Sequence, residues 1–128
     1  MKAILSAAAL LLTLYATSAV AEGDPVEGER AFGKCASCHN IDNPRTRLGP
    51  HLMGVVGRRA GSVEDYSNYS QAMKDAGASG LVWDEAALRE FLSSPKKKVP
   101  GTSMRFFGLW SATEIDNIIA YLKTKPAP

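Results

Sequence analysis

Three of the chain's four cysteine and histidine residues fall within five consecutive positions: Cys35, Cys38 and His39, in the spacing C-x-x-C-H. This cluster restricts the possible folds more than any other feature, because each chemistry that uses it demands its own scaffold. A redox dithiol of the C-x-x-C type sits beside a βαβ unit. A structural zinc site needs four ligands, a number that Cys35, Cys38, His39 and His51 could make up. The complete string is also the signature for attaching haem, with two thiols bonded to the porphyrin and the adjacent imidazole turned to the iron.

Periodicity along the chain chooses among the three. Asp24-Pro25-Val26-Glu27 reads as a helix start, with Asp24 as N-cap and Pro25 in the first helical position. Residues 40–65 are punctuated by Pro44, Gly49, Pro50, Gly54, Gly57 and Gly61, which predicts a long irregular loop. A short helix is expected over Ser70–Ala76, stopped by Gly77. Asp84 caps another over Glu85–Leu92, closed before Pro95. Residues 95–110 read as a second loop around Pro100-Gly101. Ser111-Ala112-Thr113-Glu114 is a capping box opening a last helix striped by Ile115, Ile118, Ile119 and Leu122. No segment has the alternation of a strand. The expected domain is all-α, with short helices and long loops too poor in apolar residues to pack alone. That pattern disfavours the dithiol and supplies a reason for a large bound group, since chains of this size often lean on one for stability.

Residues 1–21 have the layout of a secretory leader: Lys2, an apolar run from Ala3 to about Ala16, and the terminal small-x-small tripeptide Ala19-Val20-Ala21. The competing reading is a retained membrane anchor, since the run approaches the roughly 20 residues of a spanning helix. Cleavage after Ala21 is favoured, leaving residues 22–128 as an exported domain and taking the formal charge from +2 to +1 with the loss of Lys2. A nearly neutral chain gives no support to a nucleic-acid partner.

A haem iron offers a second axial position, for which Met53, Met73, Met104 and His51 are candidates. Met53 and Met73 read as packing residues, and His51 as a surface or hydrogen-bonding histidine. Met104 lies in the irregular stretch KKKVPGTSMRFFG between two capped helices. Such a loop can offer its thioether across the ring while Val99, Phe106 and Phe107 exclude water. Sulfur ligation and burial both favour the ferrous state. Two protein ligands leave no position open for a substrate, which points to electron transfer and not to catalysis.

These residues resemble the class I cytochrome c family, the soluble mitochondrial-like cytochromes of purple bacteria. The similarity runs from about Gly23 to Lys125 and includes GDPVEGERAFGKCASCH, LGPHLMGVVGRRAG, YSQAMKDAGASGLVWDE and SPKKKVPGTSMRFFGL. The resemblance implies a cytochrome c fold wrapped around one haem c, with thioethers at Cys35 and Cys38 and axial His39 and Met104. It implies that the Pro50 carbonyl accepts the proton on the other nitrogen of His39, and that Arg58, Tyr69, Trp83 and Thr102 face the propionates. Gly28, Phe32 and Tyr121 match the crossing of the first and last helices. Two positions depart from the family: Phe91 stands where many relatives carry a tyrosine, and Met73 near an asparagine. Loss of both polar groups is expected to dry the pocket and perturb its potential. An unchanged potential in Phe91→Tyr would remove that idea.

Lys96, Lys97 and Lys98, with Lys34 beside the cysteines and Arg105 beside Met104, predict a positive rim around the haem edge, with Phe106 as an apolar contact. Such a rim steers the molecule to redox complexes with acidic docking surfaces. The expected protein is a monomeric periplasmic electron carrier between a quinol-oxidising cytochrome bc complex and a terminal oxidase, photosynthetic reaction centre or periplasmic reductase. A haem subunit fixed to a periplasmic dehydrogenase, and a gas-binding haem protein, are the competing classes.

Overall fold

The computed structural model describes residues 22–128; the leader expected over residues 1–21 lies outside the described residues. Five helices follow in order: α1 (Pro25–Phe32), α2 (Gln71–Ala78), α3 (Glu85–Ser93), α4 (Pro95–Lys98) and α5 (Ala112–Lys123). Among the described residues the extended pairing is one antiparallel bridge, Arg59 with Val82.

Local signals start most of these helices where expected. Asp24, Ser70, Asp84 and Ser111 each accept a backbone N–H of the first turn, filling donors that no helical carbonyl can reach. The capping box at Ser111 is half made. The hydroxyl accepts from Glu114 N at 3.2 Å, but the Glu114 carboxylate meets Lys34 instead of turning back.

Two boundaries differ from expectation. Gly77 does not stop α2 but lies inside it, because a Cβ there would fall 2.0 Å from the carbonyl oxygen of Ala60. The glycine is a contact point between helix and loop. Pro95 does not merely end α3 but opens α4, so Lys96, Lys97 and Lys98 stand on a helical turn.

Packing begins where α1 crosses α5. A Cβ on Gly28 would sit 1.9 Å from Asn117 O, and Phe32 meets Tyr121 with ring centroids 5.5 Å apart. Asp24 N donates to the Asn117 side chain at 2.7 Å, pinning the start of α1 to the same helix. Ile115, Ile118, Ile119 and Leu122 are all buried on α5, and Leu88, Phe91 and Leu92 of α3 join them. The long loop 40–65 adds Ile41, Val55 and Ala60 to the buried core. No described helix is long and apolar enough to cross a membrane.

Candidate functional site

The core is built around a cavity of about 510 Å³, within the roughly 300–1,000 Å³ of small-molecule and cofactor sites. Cys35, Cys38 and His39 line it, as do Met104, Thr102, Arg58, Tyr69 and Trp83. Pro50 completes the set, so each expected cofactor-contacting residue lines this one cavity.

The cysteine segment leaves α1 as a series of tight turns. Cys35 N bonds Phe32 O at 2.8 Å, and Cys38 N and His39 N both bond Cys35 O, at 3.1 and 3.0 Å. Both thiols are unpaired and half buried. Burial pushes the Cys35 thiol pKa up, opposed by the charge of Lys34. The loop then folds back over this turn. Gly49 N bonds Cys38 O at 2.9 Å, and the Arg47 guanidinium donates to Ala36 O at 2.7 Å. Sequence reasoning missed Arg47, whose role depends on a loop path that no local pattern encodes.

His39 Nδ1 lies 2.7 Å from the carbonyl oxygen of Pro50. Burial holds the imidazole pKa below its usual value, so the neutral ring donates Nδ1–H to Pro50 and keeps the Nε2 lone pair free. That is the tautomer a metal-ligating histidine needs. Gly49 makes the arrangement possible, since a Cβ there would lie 2.4 Å from His39 Cε1.

Thr102, Ser103, Met104 and Arg105 of the loop after α4 supply a further part of the lining. Thr102 Oγ1 accepts Met104 N at 3.3 Å, and Leu109 N bonds Leu92 O at 2.8 Å, fixing the segment at both ends. Among the other axial candidates, Met73 also lines the cavity from α2, whereas Met53 and His51 do not. The absence of His51 from the lining agrees with expectation, but its surroundings do not: it is 8% exposed and its Nδ1 has no hydrogen-bond partner. It is neither a surface nor a fully bonded histidine. Among the described residues no three His, Cys, Asp or Glu side chains converge as a metal site would require, so the four-ligand zinc alternative has no geometry.

Arg58 and Trp83 reach the wall through the short bridge: Trp83 N bonds Arg58 O, and Gly57 N bonds Trp83 O, both at 2.8 Å. The Arg58 guanidinium is half buried, donates to Met53 O at 3.2 Å, and meets no carboxylate among the described residues. Burial lowers its pKa. A cation withdrawn from water without an anion is costly, so this wall suits a ligand that carries its own carboxylates. Tyr69 OH accepts Val63 N at 3.2 Å, leaving its proton to donate. Phe91, at 4.8 Å from the Trp83 ring, and Met73 make the adjoining wall apolar. Two thiols, a lone-pair imidazole, a thioether and an unpaired cation around an apolar slot are the donor set that an iron porphyrin with propionates requires.

The outer residues divide differently from expectation. Lys34 pairs with Glu114, and Lys98 with Glu90. Lys96 and Lys97 are exposed and, like Arg105, have no acidic partner among the described residues. Phe106 is half buried against the core, whereas Phe107 beside it is 94% exposed.

The family model described as "Cytochrome c" matches residues 25–126. A cytochrome c2 of Agrobacterium tumefaciens (strain II Chrys) is 50% identical over 111 residues, covering 83% of this chain and 99% of that one. Cytochrome cH from Methylobacterium extorquens superimposes with a TM-score of 0.73 at 49% identity, over 80% of this chain and 100% of its own. Cytochrome c2 from Rhodobacter sphaeroides gives 0.76 at 34% identity, over 84% and 99%. With Cys35 and Cys38 lining its cavity, the chain belongs to the cytochrome c family, the electron-transport proteins that carry covalently attached haem c.

Proposed function

We propose that the protein is a periplasmic one-electron carrier whose haem is held axially by His39 and Met104. It would accept electrons from a quinol-oxidising cytochrome bc complex and pass them to a terminal oxidase, a photosynthetic reaction centre or a periplasmic reductase. The observation that carries this reading is the shared cavity: it is lined both by a histidine with its far nitrogen committed to Pro50 and by a methionine on a hydrogen-bonded irregular segment. Haem bound there supplies reversible one-electron chemistry between ferric and ferrous iron.

The chain's residues do the rest. Cys35 and Cys38 prevent loss of the group, and the Pro50 carbonyl fixes the imidazole orientation. Arg58 and the Tyr69 and Trp83 donors answer the propionate charge. Phe91, Leu88, Leu92 and Ile118 keep water from the slot. With His39 and Met104 both holding the group, exogenous small ligands would be excluded, and the chemistry it would supply is electron relay.

Carbon monoxide provides the test. The reduced parent holoprotein is expected not to bind it at neutral pH, and Met104→Ala to bind it readily. Met73→Leu should behave as the parent does, because Met73 packs in the core. Ready binding by the parent would overturn the two-ligand reading, and binding by Met73→Leu alone would move the ligand to α2.

A further inference from the structure

Two of the largest apolar side chains on this molecule are turned to water: Phe107 is 94% exposed and Trp110 100% exposed. They bracket Gly108 and Leu109, which hold the segment rigidly to the end of α3. Leu109 is buried and bonds Leu92 O; Gly108 has φ 111, and a Cβ there would also meet Ser93 O at 2.1 Å. The aromatics are therefore displayed on fixed backbone and have no local route to burial.

We propose that Phe107 and Trp110, together with Lys96 and Lys97, form the contact face for a transient protein partner whose matching surface is apolar with a carboxylate rim. This rests on the carrier reading and names the chemistry of its partner. Three observations select that occupant. Lys96 Nζ lies 6.0 Å from the Phe107 ring centroid, so exposed positive charge adjoins the apolar contact. Lys34 and Lys98, which would broaden a purely electrostatic rim, are already engaged by Glu114 and Glu90. The same segment carries Met104 and Arg105 of the cavity wall, so a partner seated on Phe107 is brought to the cofactor side.

Magnitudes decide for a transient complex. Two aromatic side chains contribute at most about 300–500 Å², below the roughly 800 Å² per partner of a stable assembly. Rigid exposed aromatics do supply much of the binding energy of an interface at low entropic cost. Docking should then be driven mainly by desolvation, with the lysines setting orientation and the salt-sensitive part of the on-rate.

The test follows electron exchange between purified holoprotein and washed membranes of the native cell, at low and high ionic strength. Phe107→Ser/Trp110→Ser should lower the second-order rate by about tenfold or more at both, with spectrum and potential unchanged. Lys96→Glu/Lys97→Glu should lower it at low salt and converge on the parent at high salt. Val26→Ser, which removes an exposed apolar side chain on α1, should match the parent. Parent-like rates in the aromatic variant overturn the docking face alone. A parent that exchanges no electrons with the membranes in either direction overturns the carrier reading and the docking face with it. Aromatic-dependent dimerisation in sedimentation, or aromatic-dependent binding to phosphatidylglycerol vesicles without a change in electron exchange, would assign the face to a second copy or to lipid and overturn the proposal.

Discussion

At Gly49 the absence of one methyl group is what lets the chain lie against the His39 ring. Alanine would place a Cβ 2.4 Å from Cε1 and 2.8 Å from Nδ1, forcing the ring or the Gly49-Pro50 peptide to move. Overpacking of this kind costs about 1–3 kcal/mol. Gly49→Ala holoprotein should therefore melt lower by several degrees and show a shifted reduction potential. Gly33→Ala is the control: Gly33 has right-handed helical dihedrals, φ −48 and ψ −32, so calorimetry should place it within about 1 kcal/mol of the parent. His51 sets a different residue-scale expectation. Burial, with Arg58 as a lesser cause, holds its pKa below the ordinary value of 6.5, against the pull of Asp65. The unfolded chain then binds a proton at a pH where the native chain does not. Stability contributed by neutral His51 is present above about pH 6.5 and is lost as pH falls through the interval below it. Denaturant titrations at pH 7 and pH 5 should show a steeper loss for the parent than for His51→Gln; equal slopes would sink this account.

The helix crossing is the element-scale counterpart. Gly28 brings α1 onto α5 so closely that a Cβ would lie 1.9 Å from Asn117 O and 2.8 Å from Tyr121 Cβ, with backbone on one side. Neither helix can yield without dragging Phe32 and Ile118, which also line the cavity. Gly28→Ala should cost at least as much as the upper end of the 1–3 kcal/mol range, read as a lowered urea midpoint with an unchanged slope. What was legible in the sequence divides along this line. Helix starts at Asp24, Asp84 and Ser111 are local events, settled by a side chain two or three residues from its donor, and are readable as caps; Ser70, expected as the first residue of its helix, is instead the cap. Gly77 was misread as a stop because its reason is Ala60, seventeen positions away and visible after folding. Pro95 was read as an end because the same residue terminates one helix and opens the next. In the site, C-x-x-C-H is contiguous and therefore conspicuous. The brace from Arg47, the unpaired charge of Arg58 and the exposure of Phe107 and Trp110 depend on how separate loops meet; hydrophobicity alone would have placed Trp110 inside.

For the molecule as a whole, the cavity and the core are the same structure. Phe32, Leu88, Phe91, Leu92, Ile118 and Leu122 are counted among the buried residues, and all of them line the cavity. Little separate apolar nucleus remains to hold the fold if the cavity is empty. Emptying a cavity of about 510 Å³ leaves those side chains facing water or void in place of packed atoms, a cost that rises with the volume left unfilled. The entire stability of a domain is only about 5–15 kcal/mol, so losing the contacts of six core side chains at once removes a large share of it. Collapse of the walls could recover part of it, but the glycine contacts at Gly28, Gly49 and Gly77 fix the spacing of the surrounding segments. The chain without its cofactor should therefore have no stable native state, and haem attachment should be a folding step and not a late decoration. The check is Cys35→Ser/Cys38→Ser purified free of pigment: its far-ultraviolet circular dichroism should show little helix and no cooperative thermal transition. A sharp melt with parent-like helicity would mean that α1, α3 and α5 carry enough packing of their own, and that the cavity is an accessory of the fold and not its centre.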